Sequence, residues 1–369
     1  MKQIYFFIGT EAELIKVFPV ITECQNRGSI CHIIASGQNE LNKSRIMKHI
    51  QLNGEFFELS KEKDIVKSAL GLLKWFFDTK RKAIPAIQGK FKDYRLSGEK
   101  LVVHGDTVST MMGAMIGKRL GMQICHVEAG LRSHHLFNPF PEEIDRLITS
   151  KIARVHFAPG AIAEKNLVGV KGKVINTEYN TILDSLSESR NLPIQTDKVV
   201  DVLEQKYFVF VMHRQENLMN KYFVQDVLEQ IRDVSKQMKC VFILHKITEK
   251  TLIEMNLLND LKKDKNCILM PRVDYFDFMK LLACSQFVIT DGGSNQEELH
   301  YMGKPCLIMR KTTERNEGIG QNAILFGGEV KMIADFVDEY EKYKIPPVVG
   351  TESPSKIIAE YLFGNDGRV

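Results

Sequence analysis

Residues 101–151, LVVHGDTVSTMMGAMIGKRLGMQICHVEAGLRSHHLFNPFPEEIDRLITSK, decide how this chain folds. An apolar strand at 101–104 runs into Gly105-Asp106-Thr107, and a helical pattern follows over 107–119. A second apolar strand at 122–127 ends in Glu128-Ala129-Gly130-Leu131-Arg132. A loop then delivers Pro141-Glu142-Glu143 to a helix over 142–151. Short strands alternating with helices imply βαβ units and a parallel sheet. In an open sheet of that kind, ligands bind at the carboxyl ends of the strands. Carboxylates gathered there suit proton transfer at carbon, and the flanking Arg132 and Arg146 suit an anionic substrate.

The same grammar extends outward. Strands are expected at 4–8, 31–35 and 155–158, with a helix over 11–26. A second set at 207–212, 240–244, 267–270, 287–290 and 306–309 alternates with helices such as 221–238 and 274–284. A chain of 369 residues exceeds what one core usually serves. Two doubly wound α/β Rossmann-like domains facing across a cleft are therefore expected. The first covers 1–180 and is joined by a terminal helix in 353–369; the second, nucleotide-binding, covers 181–352. Residues 170–206, with Asn191-Leu192-Pro193, read as an irregular linker region. The stretch 58–100 is rich in Lys and aromatic residues, including Leu72, Leu73, Trp75, Phe76 and Phe77 together. It reads either as a helix packed on the first sheet or as a partner surface such as a dimer contact.

Composition narrows the class. Hydrophobic content of 44% and charged content of 26% are ordinary for a globular protein. A formal charge of +4 argues against a nucleic-acid groove while leaving a local anion pocket open. The seven cysteines are scattered without a Cys-x-x-Cys pair, as expected of buried thiols in a reducing compartment rather than of zinc ligands or disulfides. The N-terminal apolar run is too short for a secretion signal, and no run of about 18 apolar residues occurs. A cytoplasmic location is expected, with no metal and no cofactor.

Four clusters could carry chemistry. Gly9-Thr10-Glu11-Ala12-Glu13 opens a helix whose N-terminal N–H groups favour an anion, and Lys16 either reaches a phosphate or points to solvent. The acids Asp106, Glu128 and Glu142 form the second. Asp106 alone could be a helix cap, and Glu142-Glu143 could be first-turn acids favoured by the helix dipole. Glu128 is harder to explain structurally, because a partly buried acid needs a partner. The third is His213-Arg214-Gln215-Glu216-Asn217, where a histidine at a strand exit suits phosphate or proton transfer. His245, also ending a strand, reads as a supporting or structural residue, and the roles of His134 and His135 stay open. The fourth is Asp291-Gly292-Gly293-Ser294-Asn295-Gln296-Glu297-Glu298, a strand-to-helix turn able to cradle a diphosphate, with Glu298 a candidate for a ribose diol. No G-x-G-x-x-G follows the first strand, which disfavours a nicotinamide dehydrogenase.

Together these clusters resemble the non-hydrolysing UDP-N-acetylglucosamine 2-epimerase family over nearly the whole chain. The resemblance rests on HGDT (104–107), HVEAGLR (126–132), PEEIDR (141–146), HRQEN (213–217), DGGSNQEE (291–298) and GKPCLIMRKTTER (303–315). It implies a glycosyltransferase-B-like pair of domains, usually dimeric, that inverts carbon 2 of a UDP-sugar through UDP elimination to a 2-acetamidoglucal. It assigns Asp106, Glu128 and Glu142 as acid–base carboxylates and His213 to the diphosphate. Lys16 and Arg146 match basic residues of the cleft. Gly292, Gly293 and Ser294 fall to the phosphate oxygens, Glu298 to the ribose and Phe278 to the uracil.

Three departures bear on the nucleotide side. Glu11 stands where the family usually has arginine, the glycine-serine order of residues 291–295 is changed, and Tyr179 replaces a glycine beside Asn180. Near Gln38, where the family's second nucleotide site lies, Asn39 stands for a common histidine. The leading expectation is a UDP-N-acetylglucosamine 2-epimerase serving surface-polysaccharide precursor synthesis, acting as a homodimer on a UDP-sugar partner. The alternatives are a variant that acts on a modified UDP-2-acetamido sugar or hydrolyses it, a two-domain glycosyltransferase, and a binding protein without turnover.

Overall fold

The apolar runs become strands because both of their faces are covered. Tyr5, Phe6 and Phe7 in one run, and Phe208, Val209 and Phe210 in another, are fully or almost fully inaccessible. Such two-sided burial is the signature of a parallel sheet flanked by helices. The computed structural model describes residues 1–60, 69–134, 141–313 and 315–364, and the chain divides into two compact units.

The first unit comprises residues 1–185 and 350–369. Its strands are β1 (Gln3–Ile8), β2 (Ile30–Ala35), β3 (Phe56–Glu58), β4 (Lys100–His104), β5 (Gln123–Val127), β6 (Val155–Ala158) and β7 (Lys173–Asn176). They pair in parallel in the order β3-β2-β1-β4-β5-β6-β7. The chain runs outward one way through β1, β2 and β3, then restarts at β4 and runs the other way. The reversal leaves a crevice beyond the ends of β1 and β4, where doubly wound sheets place ligands.

The second unit comprises residues 186–349. Its strands are β8 (Tyr207–Val211), β9 (Lys239–Leu244), β10 (Cys267–Pro271), β11 (Val288–Thr290), β12 (Cys306–Ile308) and β13 (Ala323–Leu325). Their order, β10-β9-β8-β11-β12-β13, is again all parallel and switches direction between β8 and β11. A core of Phe208, Phe210, Phe242, Phe287, Leu307 and Phe336 holds the sheet to its helices.

Helix entries follow local chemistry. Thr10 caps the helix Glu11–Asn26 by accepting from the Glu13 N–H at 3.2 Å, while the Glu13 carboxylate reaches back to the Gly9 N–H at 2.6 Å. This is capping-box chemistry, shifted one residue on the return bond. Thr107, not Asp106, caps the helix Val108–Arg119, accepting from the Thr110 N–H. Asp106 is thereby left for another use.

The region 170–206 is not an irregular linker. It contains β7 and the helices Ile182–Asn191 and Asp197–Leu203, with Leu192-Pro193 between the two helices. These elements are short, and Ile182, Leu186, Val199 and Val202 supply buried faces too sparse to read by periodicity. The aromatic stretch forms the helix Ala69–Lys90, which buries Trp75, Phe76, Ala83 and Ile87 in the first unit's core. Phe77 is 64% exposed on the same helix. The side chains of Leu72 and Leu73, and the whole of His135, lie outside the described residues. The terminal helix Pro354–Phe363 packs on helix Glu11–Asn26, and its last turn receives the Lys100 ammonium at the Tyr361 and Leu362 carbonyls. No helix among the described residues is long and apolar enough to cross a membrane.

Candidate active site

Glu128 leaves β5 with φ of 62°, a left-handed backbone rarely adopted by residues with side chains. Such strain persists where surrounding contacts over-determine it. The Glu128 carboxylate, 7% exposed, takes a charged hydrogen bond from Lys16 and another from the Asn180 amide. His104 Nε2 lies 3.7 Å from the same carboxylate oxygen. Lys16 comes from the helix after β1, so the strands flanking the switch point contribute to one cluster. The ammonium does not point to solvent; it is buried against Glu128.

Asp106 follows β4 and receives the Nη2 end of Arg146. The other end of that guanidinium lies 3.4 Å from Glu143 Oε2. Glu143 is fully buried and also accepts from Arg132 Nε at 2.5 Å and from the Ser133 N–H at 3.0 Å. Burial pushes its carboxyl upward, but the Ser133 N–H and the two guanidinium groups overcome this and hold it below the ordinary value. Glu142, the first residue of the helix Glu142–Ile152, keeps its Oε2 buried without a hydrogen-bond partner among the described residues. Glu142 and Glu143, adjacent in sequence, thus differ in kind: one is saturated by donors and the other presents an unused oxygen.

Two further acids complete the group. Asp145 is 2% exposed, and its Oδ2 has no hydrogen-bond partner among the described residues. Burial, then Glu142 and Asp106 nearby, push its carboxyl up to about 7. Glu13 is also raised to about 7, by burial opposed by hydrogen bonds from Gly9, Thr107 and Thr10, with Asp106 adding to the rise. Beneath them His126 Nε2 meets the Gly105 carbonyl at 2.8 Å, and burial lowers its pKa to about 4. That histidine is therefore neutral and supports the turn carrying Asp106.

In the second unit, Asp291 at the end of β11 organises the turn after β8. It accepts from the backbone N–H groups of His213 and Arg214 at 3.0 and 2.9 Å, and from the Asn217 amide at 3.1 Å. His213 Nδ1 lies 3.0 Å from the same carboxylate. Burial alone would raise Asp291, but the adjoining imidazole and N–H groups keep it below the ordinary aspartate value. His213 is partly exposed and stacks on His245 with ring centroids 4.5 Å apart. Burial, then His213 and Arg272, lower His245 to about 4, so a neutral ring backs His213.

The glycine turn begins the helix Gly293–Met302. A methyl group on Gly292 would stand 2.6 Å from Asn295 Oδ1 and 3.3 Å from His213 Cε1, so the site is tight where His213 and the helix start converge. Glu298 is 4% exposed and accepts from Asn295 Nδ2 at 3.0 Å. Glu297 pairs with Arg315, and Gln296 binds Thr313 and the carbonyls of Arg315 and Glu317. Three consecutive side chains of this helix therefore fasten the loop after β12 or the helix's own start. Phe278 is half-buried on the helix Tyr275–Cys284.

A sequence profile of the UDP-N-acetylglucosamine 2-epimerases matches residues 82–346. The chain belongs to the UDP-N-acetylglucosamine 2-epimerase family. It is 30% identical to the UDP-N-acetylglucosamine 2-epimerase of Methanocaldococcus jannaschii, over 88% of each chain. With that of Methanococcus maripaludis it shares 29%, over 99% of each. Among solved structures it resembles the M. jannaschii UDP-GlcNAc 2-epimerase in complex with UDP-GlcNAc and UDP (TM-score 0.76, 26% identity, 99% of this chain and 100% of that one). It also resembles the Neisseria meningitidis UDP-GlcNAc 2-epimerase bound to UDP-GlcNAc (TM-score 0.76, 28% identity, 99% and 100%).

Within this 2-epimerase family member, Lys16, Asp106, Glu128, Glu142 and Arg146 gather at the carboxyl edge of the first sheet. His213, Gly292, Gly293 and Ser294 gather at that of the second. Residues that sequence reasoning passed over include Asn180, which holds Glu128, and Asp291, which fixes His213. Asp145 has no role in the sequence reading, and Glu143 appears there only as a first-turn acid beside Glu142. Asp291 stands inside the quoted 291–298 motif and Asn180 beside the Tyr179 departure, so both are visible in the sequence while their targets are not. The Glu11 N–H bonds to Asn39 Oδ1 at 3.0 Å, which joins two of the family departures in one contact.

Proposed function

We propose that this protein is a UDP-N-acetylglucosamine 2-epimerase, interconverting UDP-GlcNAc and UDP-ManNAc through elimination and re-addition of UDP. The observation that carries the reading is the grouping of Asp106, Glu128 and Glu142 at the switch point of the first sheet, in a member of this family. The proton on carbon 2 of the sugar is too weakly acidic for a carboxylate to remove unaided. Breaking the anomeric C–O bond first sends its electron pair to the UDP oxygen and leaves a cationic centre beside carbon 2. A carboxylate then takes the proton, the C1–C2 double bond of the 2-acetamidoglucal forms, and UDP is retained. Protonation of carbon 2 from the opposite face, with the UDP oxygen bonding again to carbon 1, completes inversion.

In this reading Asp106, Glu128 and Glu142 are the acid–base carboxylates, and Glu142 is supported by its unused buried oxygen. Lys16 and Arg146 hold two of the acids, Glu128 and Asp106, in place through ion pairs. His213, Gly292, Gly293 and Ser294 hold the diphosphate, where stabilising the departing negative charge is a main catalytic contribution. Phe278 serves the uracil and Glu298 the ribose; for Glu298 this requires exchange of its bond to Asn295. A cytoplasmic location is supported by seven cysteines without a disulfide. A homodimer is supported by the exposed Phe77 on an otherwise packed helix. A role in making surface-polysaccharide precursors rests on the family resemblance.

The decisive experiment incubates the pure protein with UDP-GlcNAc in deuterium oxide and follows carbon 2 by proton NMR. Epimer formation with deuterium at carbon 2 is expected. Absence of exchange, epimer and glycal would remove the reading. Light scattering tests the dimer, with a monomer mass counting against it.

A further inference from the structure

Glu143 is a carboxylate held by several donors in this region. Fully buried, it collects Arg132, the Ser133 N–H and one end of Arg146. The other end of Arg146 grips Asp106. A planar guanidinium that bridges two carboxylates has its plane set by both, which a lysine ammonium could not reproduce. Arg132 and Ser133 belong to the loop that follows Glu128, and Asp106 to the turn after β4. Glu143 therefore ties the two acid-bearing turns together through Arg146.

We propose that Glu143 is a positioning residue: it fixes Arg146, and through Arg146 it aims Asp106 at the sugar. It does not itself touch substrate, since its oxygens are occupied by donors and shielded from solvent. This division explains why two adjacent glutamates have opposite surroundings. Glu142 keeps an oxygen without a partner among the described residues, while Glu143 gives up its own to hold a neighbour's partner. The inference rests on the 2-epimerase reading for its chemical output.

A double-mutant cycle on turnover separates this role from a general contribution to folding. Glu143→Gln keeps the shape and removes the charge. A loss of about 30-fold or more in kcat is expected, because small misplacements of reacting groups carry such costs. KM should stay within about 2-fold, since the nucleotide is held elsewhere. Arg146→Lys alone should also lower kcat. In that background Glu143→Gln should cost less than about 2-fold, because the link it acts through is already cut. Wild-type kcat in Glu143→Gln, or penalties that multiply in the double variant, would overturn the proposal. If Glu143→Gln does not fold, Arg132→Ser loosens the same anchor from its partly exposed side. The same pattern is then required: lower kcat, unchanged KM, and no added loss with Arg146→Lys. Wild-type protein without turnover would overturn the epimerase reading and this inference together, whereas active wild type with multiplying penalties overturns this inference alone.

Discussion

Lys16 and Glu128 form a buried ion pair between residues 112 positions apart in sequence, with 9% and 7% of their side chains exposed. The pair joins the helix after β1 to the strained exit of β5. Removing one partner of a buried pair strands the other charge, at a cost of about 3–5 kcal/mol. Lys16→Met and Glu128→Gln should each lower the denaturant midpoint. The double variant should recover most of that loss while remaining inactive. Denaturation curves of the three variants check this, and simply additive penalties would contradict the pairing as the source of the effect.

Asp106 and Glu142 are expected to be needed for chemistry rather than for binding. Asp106→Asn and Glu142→Gln should each slow deuterium exchange at carbon 2 by about 10²–10⁴-fold. Their affinity for UDP by calorimetry should stay near that of the wild type.

Asp145 gives stability a specific dependence on pH. Its folded-state value is raised from 3.8 to about 7, so the neutral form is the favoured folded species. The associated stability is complete below the ordinary value and is lost as pH rises through about 7. The whole effect is on the order of 4 kcal/mol. Asp145→Asn cannot ionise. Relative to wild type it should gain stability from pH 5 to about pH 7 and level off above that, as measured by thermal melting. Parallel curves for the two proteins would refute it.

Asp291 has the opposite sign. Its folded-state value lies below the ordinary 3.8, so its contribution is present above that pH and is lost as pH falls through the depressed value. Asp291→Asn leaves His213 and the N–H donors poorly matched. It should cost about 1–3 kcal/mol at neutral pH and flatten the acid limb of the stability profile. Urea denaturation at pH 7 and pH 3 measures both effects.

Gly292→Ala tests the tight approach of His213 to the helix start. The closest atom met by the new methyl group is the end of the Asn295 side chain, which can swing away, so the melting temperature should change little. Displacing Asn295 and His213 should weaken UDP binding roughly tenfold, about 1.4 kcal/mol. Calorimetry with UDP reads this directly.

Much of the architecture was legible because its signals are local. The longer strands are continuous apolar runs such as Tyr207–Val211, and helix entries are marked by Thr10, Thr107 and Gly292. β3, β7 and β13 escaped notice because each has only three or four residues and is only partly buried. The turn after β4 shows the same limit. Asp106 and Thr107 are both competent caps, and only the backbone path selects Thr107.

By itself the sequence determined the succession of strands and helices, the motif order that marks the family, and the identity of the acids and bases available. Tertiary structure alone decided partners: Lys16 with Glu128, Arg146 between Asp106 and Glu143, and His213 on Asp291. Periodicity and turn chemistry act over a few residues and are written in the chain. Charge pairing depends on which strands become neighbours, and that is set by packing the sheet as a whole.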